Sequence, residues 1–286
     1  MCSRVIACIP AYNEEERIGK IVNEVLKHVN EVLVIDCGSL DNTRGEAEAA
    51  GATVIEAVGD GTYGNALIVG FKEALRRGAD IVVSIDTDVR YNLEALPALL
   101  KPIVENKADV VIGSRYLPEG RIRGLSRKFL TWLLRRHRNL KNVTDGQSGF
   151  RAYRREVLEK VKPKGDDPSL AIEILVRAAS HGFRIMEVPA GSMERRHGVE
   201  RLRFLHLLAL LISVFAILAH EDPVRFLTFP GIISIISGLF LLMFTVYVSV
   251  LPWIALLASF FSLFLVIFGV AASVISLSIY LFRREG

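Results

Sequence analysis

Two carboxylates follow an apolar run in the first third of the chain. In the stretch SIDTDVRY, residues 84–91, Asp86 and Asp88 flank Thr87, and Arg90 comes two residues later. Carboxylates at this spacing often hold a divalent cation against a diphosphate, because Mg²⁺ and Mn²⁺ prefer hard oxygen ligands. Taken alone, the same pair could equally cap the next helix. A guanidinium does not bind metal, so Arg90 would either disturb such a site or replace part of it.

The segments that must position these residues alternate between two patterns. Apolar runs such as RVIACIP, EVLVID, ATVIEAV, ADIVVSI and ADVVIG are separated by segments whose apolar residues recur at helical spacing. Strands that are apolar throughout are typical of a parallel sheet with helices on both faces, so the fold class is α/β. Polar residues follow four of these strands, at 10–14, 36–39, 86–90 and 113–116. We expect them to converge on one pocket, because the carboxyl ends of parallel strands share one edge of the sheet.

The C-terminal quarter of the chain has a different composition. Between Phe226 and Phe282 there is no Asp, Glu, Lys, Arg or His, and Pro252-Trp253 divides this run into two pieces. Each piece exceeds the roughly 20 residues that span a bilayer core, which favours a transmembrane hairpin over a buried pair of core helices. Basic residues flank the run on both sides, in ERRHGVERLRF and RREG, so both of its ends are predicted to be cytoplasmic.

These features divide the chain into three predicted regions. Residues 1–201 form a cytoplasmic domain, 202–225 a helix lying in the membrane interface, and 226–286 two transmembrane helices with a short basic tail. The apolar stretch FLHLLALLISVFAILAH, which begins at Phe204, could instead be a third span. No N-terminal signal peptide is apparent, and the three cysteines lack the spacing of a metal site or a disulfide framework.

A basic segment lies between the sheet region and the apolar C-terminal part. RIRGLSRKFLTWLLRRHRNLK, residues 121–141, carries eight Lys or Arg residues and no acid, interleaved with Leu, Phe and Trp. It could be a solvated helix, or an amphipathic element beside an anionic membrane or a phosphate group. The net charge of +4 is better explained by such partners than by nucleic acid, for which no motif is present.

Five motifs in order carry a family resemblance: IPAYNEE, VIDCGSLDNT, SIDTD, VVIGSRY and DGQSGFRAYRREVL. Over about residues 4–201 the chain resembles the inverting family-two glycosyltransferases of GT-A fold. It looks most like the dolichol-phosphate mannose synthase group and its relatives that load glucose or N-acetylglucosamine onto polyprenyl phosphates. The resemblance implies a mostly parallel Rossmann-like sheet. It also implies transfer of a hexose from GDP-mannose, UDP-glucose or UDP-N-acetylglucosamine to dolichyl or polyprenyl phosphate at the cytoplasmic membrane face.

The resemblance also assigns roles to residues on the donor side. Asp86 and Asp88 match the paired aspartates that would hold Mg²⁺ or Mn²⁺ on the diphosphate, and Arg115 in GSR would face the pocket. With Asp145 these are the catalytic candidates. A further set, some of which double as the metal ligands, would bind the nucleotide sugar: Pro10, Tyr12, Glu14, Asp36, Cys37, Tyr63, Asp86, Thr87, Asp88, Arg90, Arg195 and Arg201.

On the acceptor side, the resemblance points to the loop DGQSGFR. It supplies Gln147, Ser148 and Arg151 beside Asp145, while Ser126 and Arg127 are candidates for the lipid phosphate. A lipid phosphate is already anionic and needs no general base to attack the sugar. Catalysis would therefore rest mainly on positioning and charge stabilisation.

Three positions depart from the family pattern. Cys37 replaces the second acid of DDGS, Tyr63 replaces the lysine of a Gly-Lys-Gly loop, and Arg90 replaces the glutamine of DADxQ. Losing the lysine while gaining Arg90 could move one cation within the phosphate site. The changes could equally mark a degenerate enzyme that acts as a membrane-bound binding or scaffold protein. A processive polysaccharide synthase is disfavoured, because neither tryptophan lies in a Gln-x-x-Arg-Trp motif.

Overall fold

The computed structural model describes residues 3–57, 62–87, 92–117, 125–137, 139–162, 170–191, 204–247 and 252–285. For 125–127, 204–210, 252 and 282–285 the description covers the backbone alone. The chain divides into two units, Met1–Val214 and Phe215–Gly286. The first unit contains a mostly parallel sheet with helices, and the second contains two long apolar helices, so the predicted fold class is confirmed.

The first unit is built on a seven-stranded sheet with the order β3-β2-β1-β4-β6-β5-β7. β1 pairs in parallel with β2 and β4, β2 with β3, and β5 with β7, whereas β6 runs antiparallel between β4 and β5. The strands are β1 (Val5–Ala11), β2 (Glu31–Asp36), β3 (Thr53–Glu56), β4 (Ile81–Ser84), β5 (Val110–Ser114), β6 (Arg151–Arg154) and β7 (Ile185–Pro189).

Helices connect these strands, and their apolar faces explain their positions. In the first of them, Ile18, Val22 and Val25 recur at helical spacing and are all buried. The helices of this unit are α1 (Ile18–Leu26), α2 (Thr43–Ala49), α3 (Tyr63–Arg76), a 3₁₀ turn (Leu93–Ala95) leading into α4 (Leu96–Val104), α5 (Leu125–Leu134), α6 (Arg155–Val161) and α7 (Leu170–Ser180). The predicted helix ends at Gly51 and Gly182 are present, with φ of 95° and 81°.

Two hydrophobic cores cover the sheet, one on each face. Along β1, Val5, Ala7 and Ile9 contribute to one core and Ile6 and Cys8 to the other. Successive side chains of a strand point to opposite faces, so a strand that is apolar throughout must be covered on both sides. The continuous apolar runs of the sequence therefore correspond to a sheet buried between two helical layers.

The strand β6 was not predicted from the sequence. Its register places Arg151 opposite Ser84, the last residue of β4, and Ile112 of β5 pairs with the same arginine. Because β6 is antiparallel to both neighbours, it begins where they end. The segment 145–150 that precedes it therefore reaches the edge of the sheet at which Asp86 follows β4.

The second unit consists mainly of α9 (Phe229–Tyr247) and α10 (Pro252–Glu285), preceded by a π-helical turn (Val224–Thr228) and by α8 (Phe204–Glu221), which begins in the first unit. Within the described residues, Val224–Tyr247 and Trp253–Leu281 are the helices long and apolar enough to cross a membrane. The predicted pieces, 230–251 and 253–282, correspond to these two helices, except that the first helix begins at Val224 and not at residue 230. The exact domain limits at 201 and 225 stay predictions.

Small residues bring these two helices together as an antiparallel pair. The Thr228 and Ser276 hydroxyls are 2.6 Å apart, and the Ser262 hydroxyl donates to the Gly238 carbonyl over 2.6 Å. A Cβ at Gly269 would lie 2.4 Å from the Gly231 carbonyl oxygen, so the backbones touch there. Close packing through small residues, with large apolar side chains turned outward, is the arrangement expected of helices surrounded by lipid.

Candidate active site

The loops that follow the first strands meet at one edge of the sheet. The Cys37 amide after β2 donates to the Ala11 carbonyl at the end of β1 over 2.9 Å. The Asn13 amide donates to the Ser39 hydroxyl over 3.0 Å, and the Thr87 hydroxyl after β4 to the Pro10 carbonyl over 3.4 Å. The predicted common edge is confirmed for these described residues.

Asp86 lies at the centre of this edge. It is half-buried two residues after the end of β4, and the Tyr63 hydroxyl donates to its Oδ1. Tyr63 is the first residue of α3, whose N-terminus is capped by the Thr62 hydroxyl accepting from the Asn65 amide over 3.4 Å. The residue that replaces the expected lysine therefore contacts one of the expected metal ligands.

Gly149 holds the acceptor-side loop against the same carboxylate. A Cβ at this position would lie 1.8 Å from Asp86 Oδ2, and the Ser84 hydroxyl donates to the Gly149 carbonyl over 2.8 Å. No side chain larger than hydrogen fits there unless Asp86 moves. Gly149 lies in the motif DGQSGFR, but the sequence alone does not predict this contact, because the contact depends on the strand β6 that delivers the loop.

Arg115 and Asp145 form a buried ion pair. Arg115 Nε donates to Asp145 Oδ2 over 2.8 Å, Nη2 donates to Oδ1 over 2.7 Å, and the Arg115 amide also donates to Oδ2. The two side chains are 10% and 1% exposed. This two-point pairing joins the end of β5 to the loop before β6, and it explains why both residue types occur there.

Glu187 on β7 is a site-supporting residue that the sequence reasoning missed. Its Oε1 accepts from the Thr144 and Asp145 amides, each over 2.8 Å, and its Oε2 accepts from the Thr144 hydroxyl over 2.6 Å. Glu187 thus fixes the backbone that presents Asp145. An acid inside the strand IMEVP was the available signal, since a carboxylate within a sheet needs hydrogen-bond donors.

Arg151 and Ser148 lie inside the acceptor-side loop. Arg151 is fully buried and donates to the carbonyls of Ser148, Ala171 and Gly146. Ser148 is also fully buried and donates to the Gly113 carbonyl over 2.7 Å. Both side chains stiffen the loop from within, whereas Gln147 beside them is half-buried.

The residues expected to frame the nucleoside occupy the end of β1 and β2. Pro10 is buried in β1, while Tyr12 is 55% exposed just beyond it. Glu14 is buried, with Arg17 Nη2 2.6 Å from its Oε2. Asp36 is 6% exposed, and its Oδ1 accepts from the Ser39 amide over 3.1 Å. Tyr12 is therefore the member of this group whose side chain is most accessible.

Cys37 contributes no negative charge to this edge. Burial and the neighbouring Asp36 carboxylate raise the pKa of the Cys37 thiol, so the thiol stays neutral near neutral pH. Its Sγ lies 3.7 Å from the Ile35 carbonyl. The end of β2 thus carries one carboxylate where the family pattern has two.

Several predicted residues lie outside the described part of the chain. Asp88, Arg90, Arg195 and Arg201 fall within the segments 88–91 and 192–203. The backbone at 126 and 127 belongs to α5, but the side chains of Ser126 and Arg127 are not described. Their predicted roles as ligands of metal, donor or acceptor stay predictions.

The described residues suit a divalent cation that would be bound partly by a protein carboxylate and partly by the phosphates of the enzyme's substrate. Among them, no three His, Cys, Asp or Glu side chains are grouped so as to hold a metal ion. Asp86 nevertheless offers a hard carboxylate oxygen at the strand end, orientated by the Tyr63 hydroxyl. Mg²⁺ is commonly bound through one or two carboxylates together with substrate phosphates and water, and this donor set suits that arrangement.

Comparisons with known proteins agree with this geometry. The profile of Glycosyl transferase family 2 matches residues 6–162. Polyprenol monophosphomannose synthase of Mycolicibacterium smegmatis is 34% identical over an alignment of 217 residues, and the match covers 70% of this chain and 81% of the relative. UDP-N-acetylglucosamine--dolichyl-phosphate N-acetylglucosaminyltransferase of Methanococcus voltae is 29% identical over an alignment of 224 residues, and the match covers 68% of this chain and 87% of the relative.

A solved structure shares the fold of the first unit. Glucosyl-3-phosphoglycerate synthase of Mycobacterium tuberculosis, crystallised with Mn²⁺, UDP-glucose and phosphoglyceric acid, superposes with a TM-score of 0.61 at 25% identity. The match covers 77% of this chain and 80% of that structure. The matched profile spans more than half of the chain and contains Asp86 after β4, Arg115 after β5 and Gly149 before β6. The chain therefore belongs to Glycosyl transferase family 2 and is a glycosyltransferase.

Proposed function

We propose that this glycosyltransferase moves a hexose from a nucleotide sugar to a polyprenyl phosphate at the cytoplasmic membrane face, with inversion at the anomeric carbon. The observation that carries the proposal is the position of Asp86. One of its carboxylate oxygens accepts from Tyr63 at the start of α3, and the other faces Gly149 of the acceptor-side loop. Donor-side and acceptor-side elements therefore meet at a single carboxylate, as a direct transfer between two bound substrates requires.

The two relatives support a lipid phosphate as the acceptor. One is named for the synthesis of polyprenol monophosphomannose, and the other for transfer of N-acetylglucosamine from its UDP derivative to dolichyl phosphate. The two apolar helices would keep such an acceptor and the enzyme in the same membrane. GDP-mannose, UDP-glucose and UDP-N-acetylglucosamine are all candidate donors for this chain.

In this reaction a phosphate oxygen of the lipid attacks the anomeric carbon as the bond to the nucleoside diphosphate breaks. The nucleophile is already anionic, so no residue is needed to remove a proton. Mg²⁺ or Mn²⁺ bound by Asp86 and Asp88 would offset the charge that builds on the leaving diphosphate. Arg90, Arg195 and Arg201 are proposed to contact phosphate oxygens through charge-assisted hydrogen bonds.

The described residues would contribute chiefly by positioning. The Arg115–Asp145 pair fixes the end of β5 relative to the acceptor-side loop, and Arg151 and Ser148 stiffen that loop from inside. We assign these four residues to positioning the acceptor side. Tyr12 is the exposed ring available beside the nucleoside. A site held this rigidly favours one geometry of attack, which is the main source of rate when no proton is transferred.

The test is a transfer assay on the full chain in lipid nanodiscs that contain undecaprenyl phosphate. Each labelled donor is supplied with Mg²⁺, with Mn²⁺ or with EDTA, and the extracted lipid is examined for label and anomeric configuration. We expect one donor to give a β-linked product from its α-linked sugar, in the presence of metal and not with EDTA. The Asp86→Asn variant should lose most of this transfer.

Three results would overturn the proposal. Transfer from none of the three donors, together with metal-dependent nucleotide binding, would indicate another acceptor or donor. Absence of metal-dependent nucleotide binding would favour the scaffold role that the changes at Cys37, Tyr63 and Arg90 also allow. Retention of the anomeric configuration would reject direct attack by the lipid phosphate.

A further inference from the structure

Glu187 lies in the middle of β7, which is the last strand in the sheet order and therefore an edge strand. In register it pairs with Ile112 of β5, but its side chain reaches beyond these two strands. Its Oε1 accepts from the Thr144 and Asp145 amides, each over 2.8 Å, and its Oε2 accepts from the Thr144 hydroxyl over 2.6 Å. Three hydrogen bonds thus connect the edge of the sheet to the segment that precedes β6.

A cleft lies beside these hydrogen bonds. Its volume is about 450 Å³, and it is lined by residues of β7 and of the segment 139–144, with Glu187 and Thr144 among them. Protein interiors are normally close-packed, and atoms that border an open space lose contacts on that side. Packing therefore supports the backbone at 144 and 145 weakly here. Among the described residues, the carboxylate of Glu187 is the main restraint on this side of the segment.

The segment carries Asp145, whose side chain holds Arg115 in turn. The Asp145 carboxylate accepts from the Arg115 amide over 3.0 Å, from Nε over 2.8 Å and from Nη2 over 2.7 Å. A guanidinium is planar and rigid, so a two-point pair of this kind fixes its direction as well as its distance. A shift of the Asp145 backbone would therefore turn Arg115 away from its present direction.

We infer that Glu187 is a positioning residue for the transfer reaction, and that it sets the direction of Arg115 through Asp145. The Glu187 carboxylate fixes the Asp145 backbone from the edge strand, and the Asp145 side chain fixes Arg115 at the end of β5. The effect on the reaction rests on the proposed function, because it requires Arg115 to lie at the site of transfer. The coupling between Glu187 and Arg115 is independent of the substrates.

Amide hydrogen exchange, followed by mass spectrometry, measures this coupling without any substrate. The Arg115 amide donates to Asp145 Oδ2, so its exchange rate reports whether that carboxylate is in place. In the full chain in nanodiscs, Glu187→Met removes both acceptor oxygens at similar size and should speed exchange at Arg115 roughly 10-fold. Glu187→Gln keeps one oxygen for the two amides, so it should restore most of the protection.

A matched control makes the same substitution at the opposite edge of the sheet. Glu31 is the first residue of β2, and it accepts from Arg4 Nη2 over 3.1 Å and from Arg77 Nη1. Glu31→Met therefore also removes a carboxylate that is held by hydrogen bonds. It should leave exchange at Arg115 at the wild-type rate, because Glu31 does not contact the segment before β6.

A double variant tests the route, and two further measurements extend the test to the reaction. In the Asp145→Ala background the acceptor of the Arg115 amide is already absent, so Glu187→Met should cause no further increase in exchange at Arg115. In the transfer assay, Glu187→Met should lower kcat roughly 10-fold, because Arg115 would keep its partner but change its direction. Its affinity for Mn²⁺ in the presence of nucleotide should equal that of the wild type.

Wild-type exchange at Arg115 in the Glu187→Met variant would overturn the inference. So would an equal increase in the Glu31→Met control, or an increase that adds fully to that of Asp145→Ala. If Glu187→Met does not fold, Glu187→Asp sets the carboxylate back by one methylene and should give a smaller increase; a wild-type rate there would have the same meaning. Faster exchange in a chain that transfers from no donor would reject the proposed function and leave the coupling intact.

Discussion

At the scale of single residues, the site depends on contacts to one carboxylate. The sequence predicts directly that Asp86 belongs to the site, because it shows an acid at the end of an apolar strand. It does not show that Tyr63 and Gly149 contact Asp86, since these residues lie 23 and 63 positions away along the chain. Both contacts arise from sheet order, which brings α3 and the loop before β6 to the end of β4.

Replacing Gly149 with alanine should disrupt the site strongly. The new Cβ would lie 1.8 Å from Asp86 Oδ2, so the carboxylate or the loop must shift by an ångström or so. Displacements of that size in an active site reduce rates on the order of 100-fold. We expect such a loss in kcat/KM, measured by the nanodisc transfer assay, with the protein still folded.

The control for this prediction is Gly19→Ala in α1. A Cβ there would lie 3.5 Å from the Glu46 carbonyl oxygen, an ordinary contact, and alanine favours the helix. Transfer by the Gly19→Ala variant should equal that of the wild type. Full transfer by Gly149→Ala would show that the Asp86 position is not critical.

Replacing Tyr63 with phenylalanine should weaken metal binding. The Tyr63 hydroxyl donates to Asp86 Oδ1 and so fixes the direction of the carboxylate. Loss of a hydrogen bond to a metal ligand typically lowers metal affinity about 10-fold or more. The measurement is Mn²⁺ binding in the presence of nucleotide, followed by electron paramagnetic resonance, and it requires no turnover.

Tyr280→Phe, in α10 of the second unit, provides a matched loss of one hydroxyl. It should leave Mn²⁺ affinity unchanged. An increase in Mn²⁺ affinity on Tyr63→Phe would mean that the Tyr63 hydroxyl competes with the metal for Asp86. Tyr63 would then weaken metal binding in the wild type.

At the scale of elements, the apolar runs predicted the strands that carry most of the core. The runs around β1, β2, β4 and β5 are each long and uncharged enough to be assigned without a partner. The strand β6 reads RAYR and has no such signal, because its pairing with β4 and β5 decides its conformation. Its insertion explains why the mostly parallel sheet contains an antiparallel strand, and why the acceptor-side loop ends beside Asp86.

An ion pair between the starts of β5 and β7 makes the stability of the sheet depend on pH. Asp109 accepts from the Arg184 amide and guanidinium, over 2.9 Å for both the amide and Nη2. The Arg184 hydrogen bonds lower the pKa of Asp109 below its ordinary value of 3.8. A lowered pKa means that the pair stabilises the fold fully above pH 3.8, and that this contribution is lost as the pH falls further.

Asp109→Asn should therefore reduce the free energy of unfolding near neutral pH. We expect a loss of only about 1 kcal/mol, because the partner Arg184 is half-exposed. The difference from the wild type should shrink as the pH falls below 3.8. The measurement is urea unfolding of the full chain in mild detergent, followed by Trp132 fluorescence in the Trp253→Phe background. A difference that stays constant into strong acid would contradict the assignment to this carboxylate.

At the scale of the whole molecule, the open question is the number of membrane crossings. The described helices include two that are long and apolar enough to span a bilayer, and α8 contains a shorter apolar stretch, Leu211–Glu221. Two crossings would leave the sheet-containing unit and the C-terminal tail on the same side of the membrane. Three crossings would place them on opposite sides.

We expect two crossings, with the tail in the cytoplasm, because basic residues flank the apolar run on both sides and the turn between the spans has none. The test introduces one cysteine by Ser249→Cys between the helices or by Gly286→Cys at the tail. The background has Cys2 and Cys37 replaced by serine. Cys8 is kept, because it is fully buried and therefore inaccessible to the reagent. A membrane-impermeant maleimide should label the Ser249→Cys variant in intact cells, and the Gly286→Cys variant after permeabilisation.

Labelling of the Gly286→Cys variant in intact cells would indicate a third crossing through α8. Labelling of both variants solely after permeabilisation would mean that the apolar pair does not cross the bilayer. With two crossings the catalytic unit and the tail lie on the same side of the membrane, which we propose to be the cytoplasmic side that supplies nucleotide sugars. A cytoplasmic tail together with two crossings would therefore also place Asp86 on the side of the proposed cytoplasmic donor.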